Sequence, residues 1–275
     1  MDLATLRREF HDNGYVVIDS EIEASVLDGI VHDLEGYFGH EAERPIHVPF
    51  ADYNRIQDAW HISQNVLELA RSKVIADTIS ALYGKPAEPF QTLNFHRGTG
   101  QRVHSDSIHF NSEPFGAMCG AWTALEDIGP DQGPLIYYPG SQELPEMNYD
   151  YFNLRPSYDS YPQYLDQLDR IIKERGYQPE LGLLKKGQTL IWCANILHGG
   201  SPQKDRSLTR KSQVTHYFVG SPKTWRPSES EHKRFYFEPE VIRDMSGEPY
   251  KYPIKPSLPS FAQRVRAAIR ARLQR

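Results

Sequence analysis

Apolar positions fall into two textures along the chain. Up to residue 87 they recur at helical spacing, and from Phe90 onward they fall into short runs of period near two broken by Gly and Pro. Leu3, Leu6 and Phe10 share one helical face, Asn13-Gly14 stops that helix, and Tyr15-Val16-Val17-Ile18 reads as a strand. Val26, Ile30, Leu34 and Phe38 stripe a second helix ending at Gly39, and Asn65 can cap a third whose apolar positions run through Val66, Leu69, Val74, Ile75, Ile79 and Leu82 to Gly84. Between them, residues 46–61 have no clean period and read either as solvated loop or as a loop facing a polar ligand. The strand-like runs that follow are FQTLNF, HSDSIHF, AMCGAWTALED, GPLIYYPGS, TLIWCANILHG and SQVTHYFVG.

Many short strands at such intervals predict a sandwich or barrel, so the fold expected is mainly β with flanking helices. A single domain over residues 1–252 would comprise a helical part (1–87), a β core at about 88–220, and an insertion (144–186). The insertion holds a Tyr-rich loop and a helix near 165–175 ended by Gly176. An insertion this long reads equally as a lid or pocket wall and as scaffold. Residues 253–275 read as a Pro-broken linker and an amphipathic helix with Phe261, Val265, Ile269 and Leu273 on one face, which must be covered by its own domain or by a second copy of the chain.

Composition narrows the class. The 275 residues carry 24% charged and 39% hydrophobic side chains, with no apolar run long enough for a membrane span and no secretory pattern at the N-terminus. The net charge of -5 gives no general attraction to nucleic acid; the last 18 residues hold five Arg and no acid, leaving -10 on the rest. Cys119 and Cys193 each lie in an apolar stretch, which suits buried thiols in a reducing cytoplasm, while a disulfide between them stays open.

The chemistry concentrates in LNFHRGTGQRVHSD, residues 93–106. In extended chain His104 and Asp106 point to one side, roughly 6.6 Å apart along the backbone, while Ser105 points away. With one more imidazole they would form the two-His-one-carboxylate face that leaves iron(II) open positions. His198, where a strand gives way to Gly199-Gly200, supplies the third donor best, although His96, His109 and His216 also sit in strand-like contexts. Arg210 and Ser212 then share a strand face. An inward guanidinium demands an anion, which could be a structural acid or the distal carboxylate of 2-oxoglutarate.

In order, H-S-D, W-T-A-L-E-D, G-P-L-I-Y-Y-P-G-S, L-H-G-G-S-P and R-K-S resemble the phytanoyl-CoA dioxygenase family of iron(II)/2-oxoglutarate oxygenases, over residues 10–218. The resemblance implies a double-stranded β-helix, a cupin-like jelly roll with the metal inside one open end. It implies Fe(II), 2-oxoglutarate and O2 as cofactor and cosubstrates, with His104, Asp106 and His198 as metal ligands. It further implies Arg210, assisted by Ser212, on the distal carboxylate, and Gln91 and Trp122 lining the cosubstrate pocket. Two departures stand out: the family's usual G-S-H reads Gly140-Ser141-Gln142, and the Arg comes 12 rather than 11 residues after the distal His, which makes Lys211 a rival. Related halogenases have a small residue where Asp106 stands, so hydroxylation or another oxidation is favoured over halogenation.

Gln57, Trp60 and His109 are the substrate-pocket candidates. No basic groove for an acyl-CoA is evident, and the expected substrate is a small-molecule metabolite or natural-product intermediate. Two other classes fit the same donors: a cupin-like metal enzyme without an oxoacid, which would not need Arg210, and a noncatalytic jelly-roll binding protein.

Overall fold

The computed structural model describes residues 2–39, 50–51 and 54–242. The expected linker and amphipathic helix at 253–275 lie outside the described residues, as does part of the loop at 46–61. Residues Met1–Arg243 form one compact unit.

Helix α1 (Leu3–Asn13) is capped by Asp2, whose Oδ1 accepts from the amides of Ala4 and Thr5, and stops at Gly14, whose φ of 82° a side chain would resist. Strand β1 (Tyr15–Asp19) and helix α2 (Ala24–Leu34) follow. The third predicted helix is two, α3 (Gln64–Ala70) and α4 (Lys73–Tyr83). Asn65 is not a cap: Ser63 and Ser72 accept from Val66 N and Ile75 N, and Asn65 donates to Asp33. A serine between two apolar runs was the signal that the continuous stripe concealed.

The β part consists of β2 (Phe50–Ala51), β3 (Arg55–Gln57), β4 (Ala87–Phe95), β5 (Asn111–Glu113), β6 (Met118–Ala124), β7 (Leu135–Tyr137), β8 (Glu180–Leu181), β9 (Gln188–Cys193), β10 (His198–Gly200), β11 (Ser212–Val219), β12 (Lys223–Trp225) and β13 (Tyr236–Phe237). The main sheet runs β1-β9-β6-β11-β4-β3-β2, and the sheet β10-β7-β8 belongs to the opposite wall. From β6 to β11 the chain passes repeatedly between these two sheets, the winding of a double-stranded β-helix. Tyr137, Leu184 and Ile196 from the smaller-sheet side meet Trp122, Leu190, Trp192 and Val214 from the main sheet in one apolar cluster.

Every residue of β6 and β11 is buried, because helices cover the sheet's outer face. Gln213 Nε2 donates to Val66 O at 3.2 Å and Tyr217 Oη to Ala70 O at 3.0 Å, so outward side chains of β11 also satisfy carbonyls of α3. Cys119 and Cys193 are register partners on β6 and β9, and both are free thiols.

The insertion's helix α5 (Tyr161–Arg175) ends at Gly176. Its Tyr164, Leu165 and Leu168 are buried in a cluster with Val103, Ile108 and Leu197. It therefore buttresses the segments carrying His104 and His198, while Tyr158, just ahead of it, reaches the cavity described below. Leu168→Ala is expected to lower the unfolding free energy in urea titration by about 2–5 kcal/mol; a helix acting as a detachable lid would leave stability unchanged.

Candidate metal centre

His104 and His198 sit directly opposite one another in an antiparallel bridge and exchange both backbone hydrogen bonds, His104 N to His198 O at 2.8 Å and His198 N to His104 O at 2.9 Å. Facing residues of such a pair project to the same side. Gly199 permits this approach, since a Cβ there would meet Gln101 O at 2.7 Å. Ser105 is extended, and its hydroxyl turns away to Ala194 O at 2.8 Å, so Asp106 faces the imidazoles as the spacing predicts. The expected strand HSDSIHF ends there, because Asp106–Ile108 is a 3-10 turn.

His104 Nδ1 donates to Arg102 O at 2.9 Å and His198 Nδ1 to Ile196 O at 3.1 Å. That commits both Nδ1 protons and leaves both Nε2 atoms as acceptors, that of His104 with Gln101 Nε2 at 3.3 Å. They lie 3.8 and 3.5 Å from Asp106 Oδ1, and the three donors are within 4.8 Å of one another. A first-row ion with bonds of about 2.1 Å can bridge donors at that separation, and one carboxylate with two neutral imidazoles suits iron(II). All three side chains are buried.

Asp106 Oδ2 is held by Trp192, to which the sequence assigns no role. Its Nε1–H donates at 2.8 Å. The indole lies across Gly120, the register partner of Trp192, where a Cβ would come within 2.3 Å of the ring. Glycine inside a strand is the available signal for such a close approach.

Burial dominates the local electrostatics. It lowers His104 to about 3 and His109 to about 4, and it also lowers His216. Burial alone would raise Asp106, but the surrounding imidazoles and the Trp192 N–H bring it down to about 2.

A cavity of about 370 Å³ opens over these donors. Register orders the sheet beneath it in rows across β9, β6, β11 and β4: Trp192, Gly120, His216 and Gln91 nearest the donors, then Leu190, Trp122, Val214 and Leu93, then Ala124, Ser212 and Phe95, of which Gly120, Leu190, Ala124 and Ser212 do not line the cavity. His216 Nδ1 donates to Gln91 Oε1 at 3.1 Å. Arg210 enters beyond the third row, 4% exposed, with its guanidinium 5.1 Å from the Phe95 ring centroid and 5.4 Å from that of Trp122. It donates weakly to Ser212 Oγ at 3.5 Å and to Arg97 O at 3.2 Å, its Nε has no hydrogen-bond partner, and no carboxylate pairs with it among the described residues. Burial lowers its pKa to about 10, so it stays charged at neutral pH.

The cavity thus gathers His104, Asp106, His198, Arg210, Gln91 and Trp122, with Gln57 and His109 on its walls; Ser212 supports Arg210 from the side. Trp60 does not line it: the residue is 4% exposed and packs against the His61 ring at 3.5 Å. Lys211 is outside the lining as well, and its amide donates to Glu126. Gln142, in place of the family's His, ties the core to α1 by donating to the carbonyls of His11 and Asp12.

A family model described as phytanoyl-CoA dioxygenase (PhyH) matches residues 10–211. A search of the curated proteins finds no match. Among solved structures, the non-heme alpha ketoglutarate dependent carbocyclase SnoK from nogalamycin biosynthesis superposes with a TM-score of 0.66 at 16% identity, covering 89% of this chain and 94% of that one. The epimerase SnoN from nogalamycin biosynthesis gives 0.60 at 17% identity, covering 90% and 92%. EctD from S. alaskensis gives 0.62 at 16% identity, covering 86% and 84%. At these identities the likeness is one of fold.

Two outcomes are expected of the purified protein. Trp192→Phe should weaken divalent-metal affinity about 10- to 100-fold in equilibrium dialysis, and it should also lower the unfolding midpoint of the metal-free protein, because it removes a buried ring and a hydrogen bond to a buried carboxylate. Histidines with lowered folded pKa values bind more protons when unfolded, so stability of the metal-free protein should be full above about 6.5 and fall as pH drops toward 4 and 3. Denaturant titrations across that window measure it, and a flat profile contradicts it.

Proposed function

The chain belongs to the phytanoyl-CoA dioxygenase family, and from that premise we propose that it oxidises a C–H bond of a small-molecule metabolite or natural-product intermediate, with hydroxylation the expected outcome. It is an enzyme working with iron(II), 2-oxoglutarate and O2. When bound, the iron couples decarboxylation of 2-oxoglutarate to succinate and CO2 with oxidation of the substrate.

In this reading His104, Asp106 and His198 hold the ion. The two neutral imidazoles offer their Nε2 lone pairs, and Asp106 binds through Oδ1 because Trp192 engages Oδ2. Arg210 takes the distal carboxylate of 2-oxoglutarate, with Ser212 beside it and Trp122 and Phe95 fixing the guanidinium plane. Leu93, Trp122 and Val214, between Arg210 and the metal end, keep water from the cosubstrate's chain.

The observation that carries the reading is the buried Arg210 with no acid partner among the described residues, lining the cavity that the three donors also line. A charge so placed requires an anion, and an oxoacid-independent metal enzyme gives it none. The EctD structure contains 2-oxoglutarate and 5-hydroxyectoine, and a SnoN structure contains Fe3+, alpha ketoglutarate and nogalamycin RO, which supports the same use of the fold. Asp106 at the metal favours hydroxylation over halogenation. No described helix is long and apolar enough to cross a membrane, and we place the enzyme in the cytoplasm, in keeping with its free thiols.

Anaerobic titration of the metal-free protein with iron(II) and 2-oxoglutarate should develop a weak visible charge-transfer band that needs both. Arg210→Ala should retain iron but lose about 2–5 kcal/mol of 2-oxoglutarate binding, roughly 30-fold or more. Iron binding by the wild-type protein with no such band would contradict the proposal.

A further inference from the structure

The substrate's share of the cavity has a charge of its own. Metal, cosubstrate and their partners account for His104, Asp106, His198 and Arg210, and Asp106 is the only acid lining the cavity among the described residues. Two further arginines, Arg55 and Arg226, line it, in a chain of net charge -5. A cationic wall on an acidic protein is a local selection for anions.

Arg226 is built for that task. It directly follows β12, the middle strand of the sheet β13-β12-β5, and its guanidinium lies 5.1 Å from the centroid of Phe110, just before β5, and 4.4 Å from that of Phe237 on β13. Stacking on two rings fixes the plane of the fork and leaves its edge donors available. The adjacent acid, Glu229, forms a loose ion pair with it, nearest at Nε at 3.9 Å and beyond hydrogen-bond distance, and also accepts from Tyr158 Oη at 3.2 Å. No side-chain hydrogen bond of Arg226 forms among the described residues, whereas Arg210 has two. Phe110 continues inward to the His216 ring at 5.6 Å, and His216 Nε2 lies 3.9 Å from Asp106. Thus the clamped guanidinium stands at the partly exposed rim, a few side chains from the metal end, within reach of a single small molecule.

We propose that the substrate is an organic anion whose acid group binds Arg226, which orients its remaining part toward the metal; this rests on the oxygenase reading of the same cavity. Arg226 is in this sense a specificity determinant, separate from the arginine that serves the cosubstrate.

Simple anions test it without the substrate in hand. Anaerobic protein saturated with iron(II) and 2-oxoglutarate, so that Arg210 is occupied, is titrated with benzoate, its neutral isostere benzamide, and inorganic phosphate, following the charge-transfer band and heat of binding. Benzoate or phosphate should bind at least about tenfold tighter than benzamide, and whichever of the two binds tighter names the acid group. Arg226→Gln should form the same band but lose that preference, and Phe237→Leu, which keeps the charge and loosens the clamp, should lose part of it. Equal binding of benzoate and benzamide, a preference surviving in Arg226→Gln, or no binding of either anion would overturn the proposal. Failure of the wild-type protein to form the band at all would instead strike the oxygenase reading.

Discussion

Two backbone hydrogen bonds between His104 and His198 hold the site together. His104 lies outside any strand, whereas His198 opens β10, and the reciprocal pairing makes both imidazoles project to one side. Alternation does the rest: the neighbours Val103 and Leu197 project the other way, into the apolar cluster under α5. Packing of an inserted helix is thereby converted into fixed positions for two nitrogen donors. The carbonyls of Arg102 and Ile196, two residues before each histidine, then set the tautomer, so backbone and ring chemistry come from the same local geometry.

The main sheet orders the cavity by depth. Because its strands are antiparallel and in register, each step of two residues along β6 or β11 moves one row away from the donors. The first row carries hydrogen-bonding rings and an amide, the second is apolar, and the third leads to a buried cation. In the proposed binding mode, a five-carbon diacid with one end at the metal and the other at Arg210 would find polar groups at its ends and apolar walls along its chain. The arginine's desolvation is costly in isolation, and it is tolerated here on stacked rings with two weak acceptors while a stronger partner remains to be supplied.

Much of this was legible from residue order. Period-two runs located β4, β6, β7, β9, β10 and β11, and the helical stripes located α1 and α2, since both periodicities follow from one-sided burial; Gly176 marked the end of α5. The triad was legible because two donors two residues apart share a face and the third stands at a strand end beside glycines. What stayed hidden depended on partners remote in sequence. Trp192 looks like any core aromatic until its register against Gly120 is known. The break between α3 and α4 hides behind an apolar stripe that continues across it. Trp60 lies in a polar stretch, yet its ring turns into packing, a choice made by the helical layer and not by its neighbours in the chain.

The family model stops at residue 211, whereas β12, Arg226 and β13 lie beyond it. The strand pairs joining this late segment to the rest are those with β5, and none runs through the main sheet. His104, Asp106, His198 and Arg210 thus lie within the family-matched stretch, and the rim of the cavity that carries Arg226 lies in a segment that follows it. With Arg226 selecting the substrate as proposed, selection, or an engineer grafting a new segment, would rewrite which molecule is admitted while the proposed metal and cosubstrate residues are inherited intact.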